Sequence, residues 1–182
     1  MDELIDIITK EGKPTSKTAL KSVIHTEGYY HNTAHIWFYT KAGDILLAQR
    51  AANKTIYPLL WDVSVAGHVD AGETIEQAAI RETYEELGFK LDKGELYKIG
   101  VFECFQSYDN GITDNEFHNT YIAELSVKIE SLNFDTKEVA AIKLISISEF
   151  KNLLENSKSN NHFVASNHKY YQFVLKEIQN HL

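Results

Sequence analysis

The sequence predicts a mixed α/β chain, an α/β/α sandwich around a mixed β-sheet. Three observations carry this. Short apolar runs with strand character alternate with amphipathic helical stretches, which is how layered sheet-and-helix domains read. One helix, Ile75–Leu87, carries both of its own stop signals. No internal repeat, low-complexity tract or Pro/Ser-rich linker divides the 182 residues, a length that suits one domain over residues 1–182 with a sizeable core.

The elements follow in order. Glu3 to Thr9 reads as a short strand closed by Glu-Gly-Lys-Pro, and Ser16 to Ile24 as a short helix, so residues 1–28 form an N-terminal extension. His31 to Thr40 and Ile45 to Arg50 are strands around the turn Lys41-Ala-Gly-Asp44. Trp61 to Val65 is a short strand that feeds the loop Gly67-His-Val-Asp-Ala-Gly72. Thr74 and Gln77 then fit a capping box, and Gly88 suits a left-handed stop, which frames the helix Ile75–Leu87. Strands near Tyr97–Gln106 and Phe117–Leu125 flank the turn signal Asp109-Asn-Gly111, and a further strand covers Ala141–Ile145. Ser148 caps a helix over Glu149–Asn156. The last helix runs over residues 168–180, with Tyr171, Val174, Leu175 and Ile178 as its apolar stripe.

Composition excludes several classes. Hydrophobic residues are 43% and charged residues 24%, as in an ordinary soluble domain. No apolar run approaches the length of a membrane span. The segment beginning Met1-Asp-Glu-Leu is acidic and lacks a basic leader. A net charge of −8 argues against a nucleic-acid polymer or an anionic membrane as partner. The single cysteine, Cys104, forms no internal disulfide, suits a reducing cytoplasm, and reads as a buried strand residue.

The chemistry is concentrated between Gly67 and Phe89. Glu82, Glu85 and Glu86 stand at i, i+3 and i+4, so they share one helix face. Carboxylates that close repel one another, and a hard divalent cation such as Mg²⁺ converts the repulsion into ligation. The stretch follows Gly-x5-Glu-x7-Arg-Glu-x-x-Glu-Glu-x-Gly, with Gly67, Glu73 and Arg81 as its other functional positions. It resembles the Nudix box, and the chain is identified as a member of the Nudix family, whose fold is the sandwich expected above. One departure is Thr83, where the family usually carries an aliphatic residue against the sheet.

The resemblance implies a pyrophosphohydrolase dependent on Mg²⁺ or Mn²⁺. The substrate would be a small diphosphate compound, a nucleoside-diphosphate-X or a similar phosphorylated metabolite. Metal would lie between Glu82, Glu85, Glu86 and the Gly67 carbonyl. Glu73 and Arg81 would brace loop against helix, and Glu82 or Glu116 would act as base. A homodimer is common among similar proteins.

A second resemblance lies within the first. Arg50-Ala-Ala-Asn-Lys54-Thr-Ile-Tyr-Pro58-Leu-Leu-Trp61 is similar to the stretch before the active site of isopentenyl-diphosphate isomerases, where the matching Arg50 and Lys54 would hold a diphosphate. His25, His31 and His68 match that family's metal-binding histidines, and Asp114 and Glu116 its carboxylates, which implies a second metal site. His35, by contrast, reads as a packed strand residue. Ala66 stands where the isomerases place a catalytic cysteine. A methyl group neither gives nor takes a proton, and isomerisation needs proton transfer on two faces. With the box nearly complete, the chain reads as an isomerase-like Nudix hydrolase. The alternatives are the isomerase itself and a non-catalytic module that binds a phosphometabolite.

Overall fold

The computed structural model describes residues 2–182. Met1, the first residue of the acidic N-terminal segment, lies outside them. The N-terminal strand β1 (Leu4–Ile8) pairs antiparallel with β2 (Pro14–Leu20). Helix α1 (Lys21–Glu27) leads into the long strand β3 (Tyr30–Tyr39), which turns back into β4 (Asp44–Arg50). Two short strands follow, β5 (Trp61–Asp62) and β6 (Val65–His68). Then come helix α2 (Ile75–Leu87), the hairpin β7 (Tyr97–Ser107) and β8 (Thr113–Glu124), strand β9 (Val139–Ser146), and helices α3 (Ile147–Glu155) and α4 (His168–His181).

Strand β3 organises the sheet. It runs parallel to β8 from Tyr30↔Asn115 to Tyr39↔Glu124 and antiparallel to β6 on its other side. Strand β4 is flanked by β9 and β5, both antiparallel. Successive strand residues point to opposite faces, and β3 sorts its side chains accordingly. Ala34, Ile36 and Phe38 pack with Val65, Ala78, Ala79 and Leu87 under α2. Trp37 packs with Ile45, Phe150, Tyr171 and Val174 under α3 and α4. These two cores on opposite faces make the expected sandwich. Burying each large apolar side chain stabilises the fold by roughly 1.5–3 kcal/mol. Among the described residues no helix is long and apolar enough to cross a membrane.

Helix α2 has the predicted bounds, and for the predicted reason. Gln77 N donates to Thr74 Oγ1 at 3.2 Å, and Thr74 N to Gln77 Oε1 at 2.9 Å. Gly88 sits at φ 63° and donates its N–H to Tyr84 O. Thr83 is fully buried, and its hydroxyl donates to Ala79 O at 2.7 Å. The back-bond satisfies a polar group where an aliphatic side chain would need nothing.

Four expectations are corrected. Ser16–Ile24 is no helix: β2 occupies Pro14–Leu20, and helix begins only at Lys21. Thr15 and Thr18 favour extended backbone, and β1 supplies a partner edge with Leu4 opposite Leu20. Trp61–Val65 is not one strand. Ser64 separates β5 on β4 from β6 on β3, because its hydroxyl donates to Leu46 O and accepts from Phe38 N. Gly67 and His68 therefore belong to a strand rather than to the loop. The penultimate helix starts earlier, capped by Ser146, whose Oγ accepts from Glu149 N at 3.2 Å. The final helix runs one residue further, to His181.

The segment before α4 returns to β5. Phe163 N donates to Trp61 O, and the His162 ring stacks on Trp61 with centroids 6.0 Å apart. Lys143 Nζ lies 2.6 Å from His162 Nε2. Burial, then the Lys143 charge, pushes the His162 pKa down to about 4. The unfolded chain takes up this proton near pH 6.5 and the folded chain only near 4, so stability is lost as pH falls between those values. Replacing His162→Phe keeps a ring on Trp61 and removes the proton. Thermal melts of this variant should fall less steeply with pH across that window; an unchanged slope would put the titration elsewhere.

Candidate active site

One end of β3 gathers the functional side chains. The β3–β8 register sets His31 beside Glu116 and Thr33 beside His118, while β6 sets His68 opposite Thr33. Helix α1 brings His25 over them, and Asn115 Nδ2 holds that helix end by donating to Gly28 O at 2.7 Å. A cavity of about 660 Å³ opens here. Its walls include Arg50, Lys54, Gly67, Glu82, Glu86 and Glu116.

The box helix meets the cavity through Glu82, Glu85 and Glu86, and the first two of these are held by Arg81. Arg81 Nε and Nη2 donate to the two Glu73 oxygens at 3.1 and 2.9 Å. Nη2 also donates to His68 O at 2.9 Å, and Nη1 to Glu82 Oε1 at 2.7 Å and Glu85 Oε2 at 3.1 Å. A bidentate guanidinium–carboxylate pair fixes orientation as well as charge. Glu73 closes the loop by accepting from Asp70 N, and Asp6 accepts from Gly72 N at 3.0 Å. The loop between β6 and α2 is thus tied to the start of α2 and to β1.

Glu82 lies directly over Gly67, and a Cβ at that position would overlap its carboxyl group. Only glycine lets the strand backbone and this carboxylate come together. Burial pushes the Glu82 pKa up to about 7, although Arg81 opposes the shift. Burial, then the Glu82 charge, pushes Glu86 up to about 8. Glu85 stays exposed on the rim, with 57% of its side chain in solvent. Buried carboxylates that resist ionisation in pairs form a donor set suited to a divalent cation, which removes the penalty causing the shift. These residues fit such an ion, and Gly67 packs directly against Glu82.

The histidines form a second cluster. Ligand atoms of His25, His31, His68 and Glu116 all lie within 4.8 Å of one another. His25 Nε2 is 3.1 Å from His68 Nε2. Two imidazoles on one tetrahedral ion sit at roughly that separation, given metal–nitrogen bonds of about 2.0–2.1 Å. The outer nitrogens are held from behind. His25 Nδ1 lies 2.9 Å from Asp114 Oδ1, and His31 Nδ1 lies 3.0 Å from Tyr29 O. His31 Nε2 is buried without a hydrogen-bond partner, 3.6 Å from Glu116 Oε1. Orientation from behind and an orphaned nitrogen in front are what a metal-ligating histidine needs. Asp114 stands behind His25 rather than within the cluster.

Other expected residues are placed as follows. Lys54 pairs with Glu138 at the cavity wall, and Arg50 Nε donates to Ile56 O at 3.0 Å. Ala66 lines the cavity. Cys104 is half-buried on β7 and also faces the cavity. His35 does more than pack. It lines the cavity, and its Nδ1 meets the Tyr170 hydroxyl at 3.0 Å. Sequence reasoning missed His118, Glu138, Asp62 and Tyr170, all on the cavity wall. His118 had a signal: it extends the alternation Asp114, Glu116 along one face of β8.

Carboxylates turned from a capped helix over a strand glycine, on a sheet sandwiched by helices, form a donor set for a hard cation. The chain belongs to the NUDIX domain family, whose model matches residues 29–166. It is 35% identical over 158 residues to Nudix hydrolase 3 of Arabidopsis thaliana, a match that covers 84% of this chain and 20% of that protein. The chain thus spans about a fifth of that relative's length. It is 31% identical over 157 residues to isopentenyl-diphosphate Delta-isomerase 2 of Photorhabdus laumondii, covering 86% of this chain and 85% of the other. A crystal structure from Deinococcus radiodurans shares the fold at TM-score 0.71 and 18% identity, covering 93% of this chain and 98% of that one.

Proposed function

We propose that the chain is a divalent-metal-dependent pyrophosphohydrolase that cleaves the diphosphate linkage of a small phosphorylated metabolite. The observation that carries this is Glu82 and Glu86, two buried carboxylates with raised pKa values, one of them packed on the Gly67 backbone. Mg²⁺ or Mn²⁺ held by Glu82, Glu85, Glu86 and the Gly67 carbonyl would offset the diphosphate charge and acidify the attacking water.

The chain's own residues supply the rest. Arg81 and Glu73 fix the loop and aim Glu82 and Glu85. Arg50 and Lys54, on the cavity wall, would bind phosphate oxygens. Lys54 leaves its Glu138 partner to do so, which the exposure of both side chains makes inexpensive. Glu82 or Glu116 would accept the proton from water. Glu116 serves the histidine cluster with His25, His31 and His68, behind which Asp114 orients His25.

The isomerase reading keeps support from the relative of Photorhabdus laumondii and from the gathering of His25, His31, His68 and Glu116. Against it stands Ala66, a methyl group at the position the proton-transfer chemistry needs.

The test is phosphate release from a panel of diphosphate compounds, isopentenyl diphosphate included, with Mg²⁺ or Mn²⁺ and products weighed by mass. Metal-dependent cleavage of one compound is expected, and Glu85→Gln should lose most of it while keeping its melting temperature. Conversion of isopentenyl diphosphate without change of mass would overturn the hydrolase reading.

A further inference from the structure

We infer that His35 reads the group attached to the diphosphate, donating its Nε2–H to an oxygen on that group, so that the cavity takes an oxygen-bearing group in preference to a hydrocarbon. The inference rests on the proposed function for the diphosphate alone. The contact is one of binding and stands whether or not cleavage follows.

A diphosphate at Arg50 and Lys54 leaves the group linked to it to occupy the rest of the cavity of about 660 Å³, whose wall includes His35 and Ala66. The β3–β6 register sets these two residues opposite one another. Ala66 offers only a methyl group, so His35 supplies the chemistry at this point of the wall. Its donor is fixed by a chain of one-way hydrogen bonds. The Trp37 indole can only donate, and its Nε1–H gives to the Tyr170 hydroxyl at 2.9 Å. That hydroxyl passes its own proton to His35 Nδ1 at 3.0 Å. Burial, then the His118 charge, holds the His35 pKa well below 6.5, so the ring is neutral and its one proton sits on Nε2. The His118 ring lies flat against it, with centroids 3.9 Å apart, and fixes its plane.

The bond to Tyr170 uses Nδ1 and the stack uses one ring face. Neither uses Nε2, which has no hydrogen-bond partner among the described residues although the residue is only 9% exposed. Thr33 Oγ1, two residues earlier on the same face of β3, is buried without a partner on the same cavity wall. Asp62 adds a carboxylate to that wall. A hydrocarbon pressed here would strip water from these polar groups and replace it with nothing. A site whose donor matches a substrate oxygen rejects the analogue that lacks it.

The test compares isopentenyl diphosphate with its hydrate, 3-hydroxy-3-methylbutyl diphosphate, which carries one hydroxyl on the same carbon skeleton. Titration calorimetry on the 182-residue chain, with Ca²⁺ in place of Mg²⁺ to slow turnover, gives both affinities. The hydrate is expected to bind about tenfold more tightly, the effect of one neutral hydrogen bond. His35→Phe keeps a ring on His118 and should bring the ratio near one. His35→Gln, whose amide nitrogen falls near Nε2, should restore part of it. A folding defect would weaken both compounds together and leave their ratio alone. Nitrogen-15 NMR of the histidine rings, with His35 assigned from its absence in His35→Gln, should show the proton on Nε2 and move that signal when the hydrate binds. Equal affinities in the wild type, a ratio kept by His35→Phe, or a proton on Nδ1 would overturn the inference. So would binding of inorganic diphosphate with neither carbon compound taken up. A chain that binds no diphosphate at all would instead sink the proposed function, and this contact with it.

Discussion

Gly67→Ala is expected to lower turnover at least about 100-fold while the chain still folds. The added methyl would overlap the Cδ, Oε1 and Cγ atoms of Glu82, so the carboxylate must swing away. Arg81 Nη1 holds Glu82 Oε1 at 2.7 Å, and moving it also disturbs the bond to Glu85. Displacing a catalytic group by an ångström costs on the order of 10² in rate. Overpacking of this kind costs about 1–3 kcal/mol of stability, less than would unfold a typical domain. The double variant Gly67→Ala/Glu82→Ala separates the two effects. It should recover the melting temperature and stay inactive. Full activity in Gly67→Ala would mean that Glu82 does not work where it stands.

The same residue explains which parts of the site could be read from sequence. Helix α2 is local in its causes: cap, capping box, left-handed stop and the i, i+3, i+4 carboxylates lie within one short stretch. Its bounds and its chemistry are legible together. Gly67 is legible as a position but not as a strand residue, because its strand exists only through pairing with β3. Ser64, which splits β5 from β6, acts through Leu46 and Phe38, and neither is near it in sequence. Strand β2 departs from its expected form for the same reason: its partner edge on β1 decides its conformation, while Ser16 to Ile24 alone suits a helix.

The histidines mark the other boundary. His25, His31 and His68 come from a resemblance, and the register of β3, β6 and β8 is what brings them together. His35 and His118 have no motif to announce them. Their approach depends on Thr33 facing His118 in a parallel pairing between strands far apart along the chain. Glu138 is similar: it reaches Lys54 only because β9 starts beside the end of β4. Pairwise strand contacts of this kind leave little trace in either segment by itself.

Glu86→Gln should remove turnover and, without metal, make the protein more stable at high pH. Glu86 is 8% exposed, and burial followed by the Glu82 charge pushes its pKa from 4.5 up to about 8. Between those values the folded chain keeps a proton that the unfolded chain has released. Stability therefore falls as pH rises through that window. A tenfold difference in proton affinity between the two states corresponds to about 1.4 kcal/mol, so the ionised Glu86 is costly above pH 8. Glutamine has the same shape and no charge to desolvate. The variant should match wild type near pH 4.5 and melt higher as the pH approaches 8. Adding Mg²⁺ or Mn²⁺ should reverse the order, since only the wild type can use the cation to offset its buried charge. Paired melts with and without metal at both pH values would decide this. Equal melting at high pH without metal would show that Glu86 is already compensated within the fold, and the cation would then have no buried charge to relieve.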